Sequence, residues 1–357
     1  GWAAWVVAVA ALLTMILVGL AIYGAARSVT VTGALLAIVF VPMFRLLVPR
    51  PVVLMLPLLG ALLLSVRSSR IRWAVVPLVW VWASIHGSFV LGIGIIVLES
   101  LRREDRRMAR LAILSTVAAS ATAHGVGVWQ TLWRFAANRG ALDYISEWDP
   151  TDLTGPAGFA FLLLVIGLIV AGVRGRLEWR DLWVVVPFVV LGVSSERNVL
   201  PAAVVLAVVV AGGTGGTGEL LRSRGVPALN WVIAGLLVVG AIGYVASSPG
   251  GPDEDRFPPQ IIASLGPSPV FHDDSFGGYL IYATGRKVFI DDRAELYGAD
   301  YFDRFRRARL GEGYEDLFAE FGFGQAVVEP DSPVALLLRK DGWTVRSTAG
   351  RYELLQK

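Results

Sequence analysis

Nine stretches without Asp, Glu, Lys or Arg take up most of residues 1–252: 1–26, 29–44, 51–66, 73–98, 111–133, 153–173, 182–195, 198–218 and 225–252. About 20 apolar residues cross roughly 30 Å of hydrocarbon. Most of these runs suffice and several are marginal. Their recurrence, with Arg clusters between them, predicts a polytopic α-helical membrane domain over 1–247 instead of buried helices in a soluble protein. About nine spans are expected. A charged, aromatic-rich tail follows, with a linker at 248–260 and a small extracytoplasmic α/β domain at 261–357.

Charge divides along the same line. From Asp253 onward there are 18 acidic and 13 basic residues, and the rest of the chain holds 11 acidic and 19 basic. Basic residues beside apolar spans report orientation, not nucleic-acid binding, so no nucleic-acid partner is expected. There is no cysteine, which excludes disulfides and thiolate metal sites. Lys is scarce beside Arg, as in a GC-rich bacterial genome. The chain begins at Gly1, inside an apolar run, without the basic start or cleavage site of a signal peptide. The expectation is that further membrane sequence precedes it.

The loops 99–110 (ESLRREDRRMAR), 174–181 (RGRLEWRD) and 219–224 (ELLRSR) are rich in Arg and read as cytoplasmic. The loop 138–152 (NRGALDYISEWDPTD) is acidic and aromatic and reads as outside. Spans at 111–133 and 156–173 connect these faces. A short pair at 182–195 and 198–212 has Ser195-Glu196-Arg197-Asn198 at its outer tip. A last span at 229–247 leaves the tail outside. Segment 71–98 has Arg on both flanks and admits two readings. It is a re-entrant pair broken at His86-Gly87, or one long tilted helix.

In the tail, PVFHD, GYLIYA, KVFID, QAVVEP, WTVRS and YELLQ read as short strands. Helices are expected at 299–310, 313–322 and 333–340. Asp291-Asp292-Arg293-Ala294-Glu295 follows the strand KVFI, where ligand sites of α/β domains often lie. It reads as an Asp–Arg ion pair capping the loop, or as a carboxylate site for a sugar hydroxyl or divalent cation. Asp273-Asp274 with Gly277-Gly278 reads as a turn.

Ionisable groups in or beside apolar spans are costly and mark candidate sites. His86 lies within such a run, as a hydrogen-bonded structural imidazole or as a contact for phosphate or sugar. Arg197, beside Glu196, reads as a partner for its neighbour or for a lipid-linked phosphate, which its planar donor fork suits. Arg45 and Arg50 flank Pro49 and Pro51 on the same outer face. Glu147 and Trp148 offer a carboxylate beside an indole, a pairing that holds sugars, or else an interfacial tryptophan in a solvated loop. His124, with Gly125 and Gly127, marks the outer end of its span. The glycines of GGTGGTG follow an apolar run, not a strand, and read as a loop instead of a phosphate cradle.

VPRPVV (48–53), WASIHGSFVLG (82–92), ISEWDP (145–150), SSERNVLP (194–201), GGYLIY (277–282) and VFIDDRAELYG (288–298) follow one another in an order that resembles a family of bacterial multi-span proteins similar to GT-C glycosyltransferases. That resemblance implies transfer of a sugar from a polyprenyl-phosphate donor to an envelope glycan or protein acceptor, in the cytoplasmic (inner) membrane of a bacterium. The catalytic Asp of such enzymes lies in their first extracytoplasmic loop, which here would precede Gly1. For such a transfer the residues read above place Arg197 and His86 near the phosphate, Glu147 and Trp148 near the sugar, and Asp291, Asp292 and Arg293 as substrate contacts in the tail domain, with a divalent cation as a candidate cofactor. Two alternatives from other classes are a non-catalytic membrane protein whose outer domain binds an envelope polymer, and a transporter with 71–98 as its gate.

Overall fold

The structure, a computed structural model, describes residues 2–44, 46–48, 50–137, 146–214, 253–293 and 297–357, with the single residues 239, 243 and 246. The expected span 229–247, the 219–224 loop, Arg45 and Glu295 lie outside the residues described, or nearly so for that span. The chain divides into two compact units, one of Gly1–Leu132 with Ser146–Ser248 and one of Trp133–Ile145 with Pro249–Lys357.

The first unit is helical: α1 Trp2–Ala26, α2 Val29–Phe44, α3 Val52–Arg67, α4 Val75–Ile85, α5 Phe89–Arg103, α6 Arg106–Ser120, the first part of α7 Gly127–Ala137 (from Trp133 on, that helix belongs to the second unit), α8 Pro156–Val173, α9 Leu182–Ser194 and α10 Val199–Gly213. By length and composition, three described helices are long and apolar enough to cross a membrane: Ala3–Ala26, Pro156–Val173 and Glu196–Gly213. The runs 29–44 and 51–66 form helices of 16 residues each, shorter than those three, and the runs 73–98 and 111–133 are interrupted at polar and glycine positions. The run 111–133, expected to be one crossing, is cut at 121–126, where Gly125 adopts a φ of +55°. Helix α10 is buried along most of its length, packed against α1, α2, α8 and α9.

Segment 71–98 resolves into α4 and α5. His86 is extended (φ −155°, ψ 138°) and ends α4. The flanks of the segment then meet: Arg72 pairs with Asp105, and Arg103 Nη1 donates to the Val66 carbonyl at 3.1 Å. The chain therefore reverses at His86, and both Arg-rich flanks lie at one end of the unit. Arg102 at that end bridges Glu99 (2.8 Å) and Asp181 (3.0 Å), which joins the 99–110 and 174–181 loops.

The second unit holds a four-stranded sheet in the order β1-β2-β4-β3, with β1 Val270–His272, β2 Gln325–Val328, β3 Thr344–Ala349 and β4 Tyr352–Gln356. β1 and β2 run parallel, and the other pairs are antiparallel. Parallel neighbours need a long crossover. Here it is supplied by α12 Asp274–Thr284, α13 Ala299–Arg309 and α14 Tyr314–Phe321, after the short α11 Pro259–Ala263 and before α15 Pro333–Lys340. Both faces are covered over β1, β2 and β4, whereas the edge strand β3 is largely exposed. Phe271, Ala326, Val328 and Leu355 join an aromatic core with Phe289, Phe305 and Phe318. Val270, Val327, Leu354 and Tyr352 turn the other way, onto Ile261, Phe276 and Leu280. Successive residues of a strand face opposite sides, so two covered faces need apolar residues at every position.

Two expected strands are corrected. GYLIYA is part of helix α12, and the glycine pair lies inside that helix instead of making a turn. A run of five apolar residues does not by itself distinguish helix from strand. Phe276, Gly277 and Leu280 share a buried face, and Gly285 ends the helix at φ +68°. KVFID is irregular, without strand pairing. Its carbonyls find other partners: the Tyr301 hydroxyl donates to Phe289 O at 2.8 Å. Gly277 sits so close to Ile290 O that a Cβ there would lie at 2.0 Å.

Candidate functional site

Four separate segments of the helical unit meet at the end away from the Arg102–Asp181 bridge. They are the turn before α3, the α4–α5 break, a short 3-10 turn over Ser146–Trp148, and the tip between α9 and α10. The 146–152 segment is tied to that tip by backbone. Ser195 Oγ donates to Glu147 O (2.9 Å), Glu196 N to Asp149 O (3.0 Å), and Thr151 N to Val193 O (3.1 Å). Thr151 Oγ1 adds a bond to Gly192 O at 2.6 Å. A side chain at position 192 would strike the Phe161 ring, with Cβ at 2.3 Å, so glycine lets α9 and α8 close beneath the tip.

Arg197 is the hub. Its Nη1 lies 3.5 Å from Glu147 Oε2, its Nη2 lies 3.4 Å from His86 Nε2, and its guanidinium stands 5.1 Å from the Trp148 ring centre. Arg50 Nη1 donates to the other Glu147 oxygen at 2.8 Å. The cluster is only half-buried, with the Glu147 side chain 43% exposed and that of Arg197 32%. An ion pair so open contributes about 0–1 kcal/mol. The arrangement therefore leaves donors available to a ligand and adds little rigidity.

The hydrogen bonds of His86 assign its proton. Ser88 N–H, which can only donate, points at Nδ1 from 3.1 Å, and Ser88 Oγ lies 2.7 Å from the same nitrogen. Since the Ser88 N–H makes Nδ1 an acceptor, the Ser88 hydroxyl donates to it as well, while its oxygen accepts from Trp82 Nε1–H at 3.0 Å. Nδ1 is thus an acceptor, and the ring carries its proton on Nε2. Nε2–H and the Arg197 fork are then two donors facing one another, an arrangement that an anionic oxygen between them satisfies.

His86, Glu147, Trp148 and Arg197, singled out in the sequence, are thus gathered in one place. Arg50, noted there only as a flank of two prolines, joins them through Glu147. His124 lies in the exposed 121–126 turn, with no described bond to this cluster.

Asp291, Asp292 and Arg293 belong to the other unit. Arg293 Nε donates to both oxygens of the buried Asp291 carboxylate (3.0 and 3.1 Å), and Arg293 N adds a bond at 3.0 Å. This is the ion pair capping the loop, one of the two readings of the sequence. Burial pushes the Asp291 carboxyl up, but the Arg293 bonds outweigh it and hold it below the ordinary carboxylate range. Asp292 and Arg293 are exposed. Nearby, Asp273 is buried and bridges Arg309 at 2.9 Å, and burial raises its carboxyl to about 6. Among the described residues no three His, Asp or Glu side chains gather as metal ligands. No protein-family model and no curated protein matches this chain.

Proposed function

We propose that the helical unit is a membrane domain and that the Arg197 cluster binds a lipid-linked sugar phosphate on the extracytoplasmic face. The protein would then act as a GT-C type glycosyltransferase with a polyprenyl-phosphate donor. The membrane reading is supported by the three long apolar helices and by the outward faces of two of them, α1 and α8. In α8, Phe159 is 58%, Ile166 53% and Ile169 60% exposed, a stripe suited to lipid contact. Arg-rich loops collect at one end of the unit and the Glu147 loop at the other, as the positive-inside rule requires of a spanning bundle.

The observation that carries the ligand reading is the convergence of Arg197, the His86 Nε2–H and Arg50 beside an indole. In transfer from a lipid phosphate, the anomeric carbon–oxygen bond breaks as the acceptor oxygen bonds to that carbon. The departing phosphate gains negative charge, and preorganised donors such as Arg197 and His86 stabilise it. Glu147 holds the two guanidinium groups while no ligand is bound, and with Trp148 it faces the sugar. The acceptor proton passes to a general base, a role given to none of these residues.

The test is binding of a polyprenyl-phosphate hexose to the purified full chain. Arg197→Ala and His86→Ala should each weaken binding about tenfold or more, since bonds to a charged group contribute about 1.5–3 kcal/mol. Wild-type affinity in both variants would contradict the assignment. Binding of an envelope glycan without any lipid phosphate would favour the non-catalytic alternative.

A further inference from the structure

The helical unit has a charged cavity at the end away from Arg197. It measures about 540 Å³ and opens among the ends of α3, α5, α9 and α10. Five arginines and three carboxylates line it, together with an apolar wall that includes Leu63, Val66, Val205 and Val208. Most of the cations are matched: Arg102 by Glu99 and Asp181, Arg103 by Glu99, and Arg180 by Glu104. Arg67 is not. It is half-buried and makes no hydrogen bond or ion pair with any described residue.

A guanidinium partly removed from water needs an acceptor, and its planar fork matches the oxygens of a phosphate. The neighbouring wall is hydrocarbon, which a small inorganic anion leaves uncovered. A ligand with a phosphate at one end and an acyl chain at the other satisfies both. Basic pockets between helices on the cytoplasmic side suit anionic headgroups for this reason.

We propose that this cavity binds an anionic phospholipid, with the phosphodiester against Arg67 and an acyl chain along Leu63, Val66, Val205 and Val208. The proposal rests on the membrane reading above but is independent of the Arg197 cluster and of glycosyl transfer. The full chain, purified in detergent, is examined by native mass spectrometry with phosphatidylglycerol, phosphatidylcholine or inorganic phosphate. Phosphatidylglycerol should be retained by the wild type and about tenfold less by Arg67→Gln, with Arg67→Lys between them. Phosphatidylcholine should bind no better than phosphatidylglycerol does to Arg67→Gln, and inorganic phosphate should not compete. Unchanged melting of the lipid-free variants checks that they fold. Equal retention by Arg67→Gln and the wild type would overturn the proposal, as would equal retention of the two lipids. Arg67-dependent binding of inorganic phosphate would assign the cavity to a free anion instead. A chain that stays soluble without detergent would overturn the membrane reading and this proposal together.

Discussion

Arg197 Nη2 lies 3.4 Å from His86 Nε2, a contact across 111 residues of sequence between two groups that both donate. Proteins rarely leave two donors facing each other unless a ligand or water supplies the acceptor. Most of the functional account follows from that pair.

The pair contributes little to the fold. Arg197 makes one open ion pair at 3.5 Å, so Arg197→Ala should shift stability by about 1 kcal/mol or less. Ligand binding should fall far more. Thermal melting and titration on the same sample separate the two effects. A large loss of stability with unchanged binding would make Arg197 structural.

Ser88 fixes the proton of His86. Nitrogen-15 spectra of a histidine-labelled sample should show an unprotonated Nδ1 and a protonated Nε2 on this ring. Ser88→Ala removes the relay from Trp82 Nε1–H and should cost about 1 kcal/mol, with Nδ1 still unprotonated because the backbone N–H of residue 88 remains. A wild-type ring protonated at Nδ1 would remove the facing-donor argument.

Adjacent glycines in α12 should respond in opposite ways. A Cβ on Gly277 would lie 2.0 Å from Ile290 O, so Gly277→Ala should destabilise the tail unit by about 2–3 kcal/mol. Gly278 faces open space, and Gly278→Ala should stabilise the helix by roughly 0.5–1 kcal/mol. Hydrogen exchange of the β2 and β4 amides in the full chain reads both effects. Equal responses would mean that α12 does not pack on Ile290 as described.

Asp273 should make stability depend on pH. Its folded carboxyl sits at about 6, against 3.8 for the ordinary group, with burial as the main cause. Between pH 4 and 6 the native state therefore holds more proton than the unfolded chain. The contribution is present below pH 4 and is lost as pH rises through 6, at most about 3 kcal/mol. His272, buried beside it and held below its ordinary value by burial, acts in the opposite sense. The readout is accordingly the difference between wild type and Asp273→Asn. The wild type should gain on the variant as pH falls from 6 to 4, and a constant difference would contradict the raised carboxyl.

Much of the site could be read in the sequence, because charge beside apolar runs is costly and therefore conspicuous. His86, Glu147 and Arg197 stood out on that ground, although nothing in their spacing indicated that they meet. Arg50 was harder to judge. In sequence Pro49-Arg50-Pro51 looks like any interfacial flank, and only the fold brings Arg50 to Glu147. In the tail, QAVVEP and YELLQ were legible as strands because both sheet faces are covered. GYLIYA and KVFID were not, since the close approach of Gly277 to Ile290 is a three-dimensional contact with no local signature. The reversal at His86 was one of two open readings, and it was decided by the ion pair between Arg72 and Asp105.

The central claim is that the Arg197 end of the helical unit faces outward across a membrane. The chain has no cysteine, so single cysteines are clean reporters. The measurement is labelling of intact bacterial cells with a membrane-impermeant thiol reagent, on Ser194→Cys, Asp292→Cys and Arg107→Cys. All three positions are exposed. The account expects the first two to label in intact cells and Arg107→Cys only after permeabilisation. Labelling of Arg107→Cys from outside, with Ser194→Cys protected, would contradict it.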